Sequence, residues 1–418
     1  MSADSSVETS VEKVDTLVIG AGQAGVAMSE HLGRRGLSHL VVEKNRIAES
    51  WRTARWDSLV ANGPVWHDRF PTLTFEELDP DAFAHHDRVA AYFEACVAQN
   101  NSPVRCGVTV TSVRPLAEGF RVETSEGVIE AKNVVAATGA FQKPVIPPVV
   151  PASAGLHQLH SHGYKNPGQL PEGGVLVVGA GSSGVQIADE LRRAGRRVWL
   201  SVGAHDRPPR RYRGKDFVWW LGALGIWDTT TPTPGTEHVT IAVSGARGGQ
   251  TVDFRRLANE GMGLVGMTAR YENGVMHFAP DLAKNVAQGD ANYLGLLQQA
   301  DAHVASQGLD LPEEPEAHLI GADPDCLTDP VLALDLAKEG ITTILWATGY
   351  ALDFSWIKAD IFDERGRPAH SGGVSAVPGL YFLGLPWLSM RGSSFIWGVW
   401  HDADRLAGHI AAERAVPA

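Results

Sequence analysis

Apolar and polar positions follow one unit of pattern twice along this chain. Thr16-Leu17-Val18-Ile19 is a short apolar run, and Gln23 to about Arg35 then carries apolar residues at helical spacing, closed by Gly36. His39-Leu40-Val41-Val42-Glu43 reads as a second strand. The same succession recurs from Gly174 to about Val202, beginning with Val175-Leu176-Val177-Val178. Runs of four to six β-formers around an amphipathic segment predict a strand, a turn, a helix and a parallel strand. Between the copies, Arg88–Gln99 reads as a helix and Phe120–Ala137 as short strands turning at Glu126-Gly127. A proline-rich stretch, Lys143-Pro144, Pro147-Pro148 and Pro151, reads as a linker. From 207 to 325 the period blurs. The most apolar segment there, Phe217 to Trp227, is expected to be a packed helix or a channel wall. Thr342–Ala347 and Gly379–Leu383 read as strands and Asp402–Glu413 as a closing helix.

Two further echoes organise the whole. Ala137-Thr138-Gly139 and Ala347-Thr348-Gly349 each follow a strand and flank the second copy. They read as two crossings of the chain, with the second unit inserted into the first. The expected fold class is α/β with two Rossmann-like dinucleotide-binding domains in a disulfide-reductase-like architecture. The expected boundaries are a flexible terminus over 1–12, a first domain over 13–150 and 330–418, and an inserted domain over 155–325.

Each helix opens on a glycine turn: Gly20-Ala21-Gly22-Gln23-Ala24-Gly25 and Gly179-Ala180-Gly181-Ser182-Ser183-Gly184. In such a fingerprint the first glycine permits the tight turn, the second lets backbone approach a pyrophosphate, and the third lets helix and strand pack closely. The diphosphate then lies at the helix start, where N–H groups are free. A single turn of this kind can be purely structural; two in this context point to two dinucleotides exchanging electrons. Glu43, at the end of the second strand, suits the ribose hydroxyls of FAD. The corresponding position in the second unit, near Ser201-Val202, has no acid, and Arg207, Arg210 and Arg211 follow. Arginine can clamp a 2′-phosphate, so NADPH is expected over NADH; a solvated basic loop is the other reading of these arginines.

These turns, both Ala-Thr-Gly elements and His160-Ser161-His162-Gly163-Tyr164-Lys165 resemble the flavin-containing monooxygenases, and more closely their bacterial YUCCA-like branch. The identifying segment of that family matches in its second half only: its phenylalanine is missing and Gly155 stands one residue early. The related Baeyer–Villiger enzymes carry Trp-Pro where this chain has Tyr164-Lys165. The resemblance implies that His160 arranges the linker between domains. It implies that Asn62, in Leu59-Val60-Ala61-Asn62-Gly63-Pro64, lies beside the flavin as the catalytic residue, although Asn-Gly is also a common turn pair. It places Trp51 and Arg52 along the FAD, with Lys44, Val110, Gly139 and Gly349 as further cofactor contacts. Arg391, Trp397 and Trp400 are candidates for the pocket wall.

Composition narrows the field. The chain has 418 residues with 20% charged and a net charge of −12, which gives nucleic acid or an anionic membrane nothing to hold. Its three cysteines, Cys96, Cys106 and Cys326, have no paired spacing, so thiol–disulfide chemistry is disfavoured and a reducing, cytoplasmic setting fits. No leader, membrane span or metal cluster is legible. The expected partners are a small-molecule substrate and O2, and a homodimer is admitted on general grounds. The expected activity is a monooxygenase using FAD and NADPH through a C4a-hydroperoxyflavin to oxygenate nitrogen, sulfur or a carbonyl. An NADPH-dependent flavin reductase without oxygen insertion, and a non-catalytic flavin-binding sensor, are the alternatives.

Overall fold

The computed structural model describes residues 11–230 and 240–415. The first unit starts with β1 (Glu12–Ile19), α1 (Gln23–Arg34), β2 (His39–Glu43), α2 (Glu49–Thr53) and α3 (His86–Gln99). It continues with β3 (Val104–Cys106), β4 (Val110–Pro115), β5 (Phe120–Thr124) and β6 (Gly127–Ala136), then a short strand β7 (Lys143–Pro144). The second unit contains β8 (His157–His160), β9 (Gly174–Val178), α4 (Ser182–Arg193), β10 (Val198–Ser201), β11 (Arg211–Tyr212), β12 (Lys215–Asp216) and α5 (Phe217–Ala223). After these come α6 (Phe254–Asn259), β13 (Gly263–Val265), β14 (Thr268–Glu272), β15 (Val275–Phe278), α7 (Leu282–Gln307), α8 (Asp325–Thr328), β16 (Ala333–Asp335) and β17 (Ile341–Trp346). The chain ends with β18 (Tyr350–Ala351), β19 (His370–Ser371), β20 (Val374–Ser375), β21 (Leu380–Phe382) and α9 (Ile396–Ala415).

Two parallel-cored sheets result. The first runs β19–β20–β21–β6–β1–β2–β3, with β4 and β5 attached beyond β6. The second runs β13–β10–β9–β17–β8. In both, the strand before the glycine turn is central, and its apolar run is covered on both faces, as parallel sheets require. Leu17 and Val18 of β1 and Val175, Leu176 and Val177 of β9 have no accessible surface; burying each such side chain contributes about 1.5–3 kcal/mol. The α1 and α9 helices pack on the first sheet, with Met28 and Leu32 against Val399, Ala403 and Leu406 in one core. The antiparallel trio β14–β15–β16 covers the second sheet through Met276, Phe278 and Leu334, which share a core with Trp346.

The two crossings meet. Immediately beyond the Ala-Thr-Gly elements, β7 and β18 pair antiparallel, with Tyr350 opposite Pro144. Two expectations need correction. The strand β17 belongs to the second sheet, between β9 and β8, so the inserted unit extends to about 346 rather than 325, and the first resumes near 347 rather than 330. Of the terminus expected to be flexible, residues 1–10 lie outside the described residues. Glu12 opens β1 and its carboxylate pairs with the Arg105 guanidinium at 2.8 Å.

Candidate functional site

The first glycine turn is built by close approach. Gly20 has φ +103°, and a Cβ on it would lie 2.8 Å from the Ala137 carbonyl oxygen at the end of β6. A Cβ on Gly25 would lie 1.8 Å from the Gly20 oxygen, so the third glycine is what lets α1 start against the turn. Gly22 differs: no atom lies within 4 Å of a Cβ built there. It caps α1 with no side-chain bond to the free N–H groups and no acid in the first turn. That open cradle of unpaired donors at a helix start fits a diphosphate. Ala24 is buried, and its Cβ fixes how close Gly384 comes. The Gln23 amide donates to the Ser394 carbonyl at 2.8 Å, tying the turn to the residues before α9.

The other expected contacts of the first unit lie on or next to β2, α2, β4 and β6. The Glu43 carboxylate accepts from the Ala21 N–H and the Asn45 N–H, each at 2.9 Å, so it braces the turn and keeps lone pairs for a ribose. Lys44 is exposed beside it. Gly139, at φ +73°, leaves open space at the end of β6. Val110 begins β4 and is half-buried. Trp51 is half-buried on α2, with the Arg55 guanidinium 5.1 Å from its ring centre. The Arg52 guanidinium is held by Glu94 of α3 at 2.7 Å.

The second turn repeats the backbone and differs in what covers it. A Cβ on Gly179 would meet the Ala347 oxygen at 2.5 Å, and one on Gly184 the Gly179 oxygen at 1.8 Å. A Cβ on Gly181, however, would lie 3.2 Å from the Thr240 methyl carbon. The Ser182 hydroxyl donates to the Ile241 carbonyl at 2.8 Å. Asp206 pins this covering segment, its N–H donating to Thr240 O and its carbonyl accepting from Ala242 N–H. Ser183 is half-buried beside it. Gly349, at φ +80°, gives its carbonyl to His160 Nε2 at 3.0 Å, so His160 ties β8 to the second crossing.

Arg207 and Arg210 do not stand free in a solvated loop. Both are buried. Arg207 pairs with Asp290 at 2.7 Å and donates to the Val252 carbonyl. Arg210 makes a two-pronged pair with Asp216 between the rings of Phe83 and Phe217. It also donates to the Asn62 carbonyl at 2.7 Å. The burial overturns the solvated basic loop, because sequence spacing cannot reveal which aspartates fold back onto an arginine.

Asn62 lies where the units meet. Its Oδ1 accepts from Gln186 Nε2 of α4 at 2.9 Å, and among the described residues no acceptor meets its Nδ2. Gly245 presses on the same loop: a Cβ there would lie 2.2 Å from the Ala61 oxygen. Five residues on, His67 Nδ1 bonds Asp68 Oδ1 at 2.8 Å, while Asp68 Oδ2 accepts from the Gly63 N–H. The His67 ring stacks against Trp227 and Trp397, and its buried Nε2 has no partner. This oriented histidine was missed; the adjacent His67-Asp68 pair in an aromatic stretch was its signal. Of the candidate wall residues, Trp397 joins this aromatic group and Arg391 faces Asp206 at 3.9 Å. Trp400 instead packs on His31 and donates to Glu30, inside the α1–α9 core.

Two parallel-cored sheets, each with a glycine turn opening a helix, define the fold of a two-dinucleotide oxidoreductase. The sequence pattern of the pyridine nucleotide-disulphide oxidoreductase family matches residues 17–221. An uncharacterized CzcO-like oxidoreductase of Geobacillus kaustophilus is 34% identical over 95% of this chain and 98% of its own. Indole-3-pyruvate monooxygenase YUCCA1 of Oryza sativa is 27% identical over 94% of this chain and 93% of its own. The flavin-containing monooxygenase from Stenotrophomonas maltophilia has the same fold, with TM-score 0.67 at 19% identity over 97% of this chain and all of that one. The chain belongs to the CzcO-like oxidoreductase family. None of its three cysteines is in a disulfide, and among the described residues no helix is long and apolar enough to cross a membrane.

Proposed function

We propose that this oxidoreductase is a monooxygenase using FAD at the first turn and NADPH at the second, acting on a small organic substrate at nitrogen, sulfur or a carbonyl. The Asn62–Gln186 bridge carries the reading: it joins a loop of the first unit to the helix that opens from the second turn. In this assignment residues 13–150 and 347–418 hold the flavin and 155–346 the nicotinamide. When bound, a flavin supplies two-electron exchange with the nicotinamide and with dioxygen. The chain's residues orient and shield. Gly22 and the start of α1 would donate N–H groups to the diphosphate, and Glu43 would accept from the ribose. The Asn62 Nδ2, its Oδ1 held by Gln186, would be free to donate to an oxygen beside a flavin without titrating. The aromatic group of Trp227, Phe395 and Trp397 around His67 excludes water near the start of α9.

A substrate screen following NADPH consumption under isotopically labelled dioxygen tests this. Label in the product supports it; consumption without label leaves a flavin reductase, and no flavin bleaching under argon leaves a sensor. Asn62→Ala is expected to divert NADPH oxidation to hydrogen peroxide, read as a fall in product per NADPH. Unchanged coupling removes Asn62 from the reaction.

A further inference from the structure

The His67–Asp68 pair is more ordered than its loop requires. Asp68 alone braces the loop: its Oδ2 accepts from the Gly63 N–H at 2.9 Å, and the carboxylate lies so close that Gly63 has no room for a Cβ. The imidazole adds nothing to this brace. It is fixed by it, through Nδ1 and Asp68 Oδ1 at 2.8 Å. A carboxylate accepts, so Nδ1 carries the proton and Nε2 of the neutral ring presents its lone pair. That Nε2 is buried with no hydrogen-bond partner among the described residues, and only 6% of the residue is exposed. A buried acceptor left without a donor is costly, and native interiors rarely keep one without a use.

Aromatic rings surround it. Those of Trp227 and Trp397 stack near the imidazole with ring centres 5.3 and 5.8 Å away, and Trp66 meets it edge-on at 5.6 Å. Ile241, from the segment over the second glycine turn, packs on the same group. Phe395, just before α9, lies against Trp227 and is exposed, so the group reaches solvent there. The charged groups nearby are engaged elsewhere. Arg210 pairs with Asp216 and donates to the Asn62 carbonyl, and Arg69 donates to the Trp66 carbonyl. Arg391, whose N–H bonds Thr229 beyond Trp227, faces Asp206, and His401 meets the ring of Trp397 edge-on. Among the described residues Asp68 is the carboxylate paired with the ring. A lone pair backed by a carboxylate in an apolar wall takes a proton best from a cation. Moving a proton from an ammonium group to Nε2 shifts one positive charge toward Asp68 and creates none. Taking it from a neutral thiol creates an ion pair in an apolar setting, and a carbonyl oxygen has no proton to give.

We propose that His67 Nε2, oriented by Asp68, is the base that takes the proton from a protonated amine substrate, so that nitrogen is the atom oxygenated. The oxygenation rests on the monooxygenase reading above; the proton transfer does not. In this step the substrate N–H bond breaks and an Nε2–H bond forms. The substrate nitrogen keeps the electron pair as its nucleophilic lone pair, and the imidazolium pairs with Asp68. The proton passes to water when the product leaves.

The test uses the full chain with oxidised flavin bound, under argon and without NADPH. The probe is N,N-dimethylbenzylamine, and benzyltrimethylammonium, which has no such proton, is its control. Imidazole NMR of the native chain is expected to show His67 protonated on Nδ1 alone before the amine is added and on both nitrogens after. The amine is expected to bind at least about tenfold more tightly than the control. His67→Phe, which keeps a ring in the aromatic wall, is expected to erase that preference with little change in melting temperature. With NADPH and O2 restored, kcat/KM for the amine is expected to fall about a hundredfold in His67→Phe and in His67→Gln, which can still bond Asp68 but has no basic nitrogen. An Nε2 that stays unprotonated with the amine bound overturns the base. So does failure of the amine to bind, or a preference that survives in His67→Phe. An Nε2 protonated by the amine, with no labelled oxygen in the product, supports the base and overturns the monooxygenase reading instead.

Discussion

The two glycine turns share a backbone and differ in their surroundings. At the first, Gly22 faces open space and Glu43 braces the turn from below. At the second, the Thr240 methyl and the Ile241 carbonyl lie over Gly181 and Ser182, and the nearby arginines are spent on aspartates. An open cradle suits a resident prosthetic group. A covered one suits a cofactor that comes and goes, displacing a few weak contacts at each visit. The fingerprint therefore specifies a turn, and the neighbouring chain specifies how the turn is used.

The largest effect tests whether the second unit's arginines are structural. Arg210→Ala strands the buried Asp216, which costs about 3–5 kcal/mol; Arg207→Ala leaves Asp290 paired with Arg255 and is expected to cost less. A large fall in melting temperature is expected, with the NADPH to NADH preference of the surviving fold unchanged. A selective rise in the NADPH KM would restore them as a phosphate clamp.

Paired glycine substitutions separate the turns directly. Gly25→Ala and Gly184→Ala each drive a methyl into a backbone oxygen, with a strain of about 1–3 kcal/mol or more. The first is expected to purify with little flavin. The second is expected to keep flavin and lose its reduction by NADPH. Equal flavin loss in both would erase the distinction. A smaller effect sharpens it: Thr240→Ser removes the methyl over Gly181 and keeps the hydroxyl, and is expected to lower the NADPH KM a few-fold, on the order of 1 kcal/mol or less. A higher KM would make that methyl part of the binding surface.

The smallest effect is on acid stability of the first unit. Burial against Trp400, with Arg34 and Arg35 nearby, holds His31 down to about 4 despite Asp404. The unfolded chain takes up that proton near the ordinary histidine pKa of about 6.5, and the folded chain does not until near 4. The contribution of neutral His31 is therefore complete above the ordinary value and is lost as pH falls through this window. His31→Gln is expected to flatten the fall in melting temperature over that range, and an unchanged slope would assign the fall to other histidines.

Much was legible because it is local. Strand, glycine turn and helix occupy contiguous residues, and the clash of Gly25 with Gly20 is decided within six positions. The 26-residue helix α7 was not legible. Asn285, Gly289 and Asp290 interrupt its apolar face because each serves a distant partner: Asn285 bonds the Val202 carbonyl, Gly289 admits the His205 ring and Asp290 holds two arginines. Periodicity fails where a helix buries polar groups against long-range partners.

By itself the sequence determined that two parallel strands end in diphosphate-type turns and that a carboxylate stands by only one of them, since backbone sterics and short-range spacing suffice for both. Only the tertiary structure decided that Arg207 and Arg210 are buried in ion pairs, that Thr240 covers the second turn, and that Asn62 bridges the units. Each of those depends on residues far apart in the chain, and a charge or amide acquires its role from the partner that folding delivers.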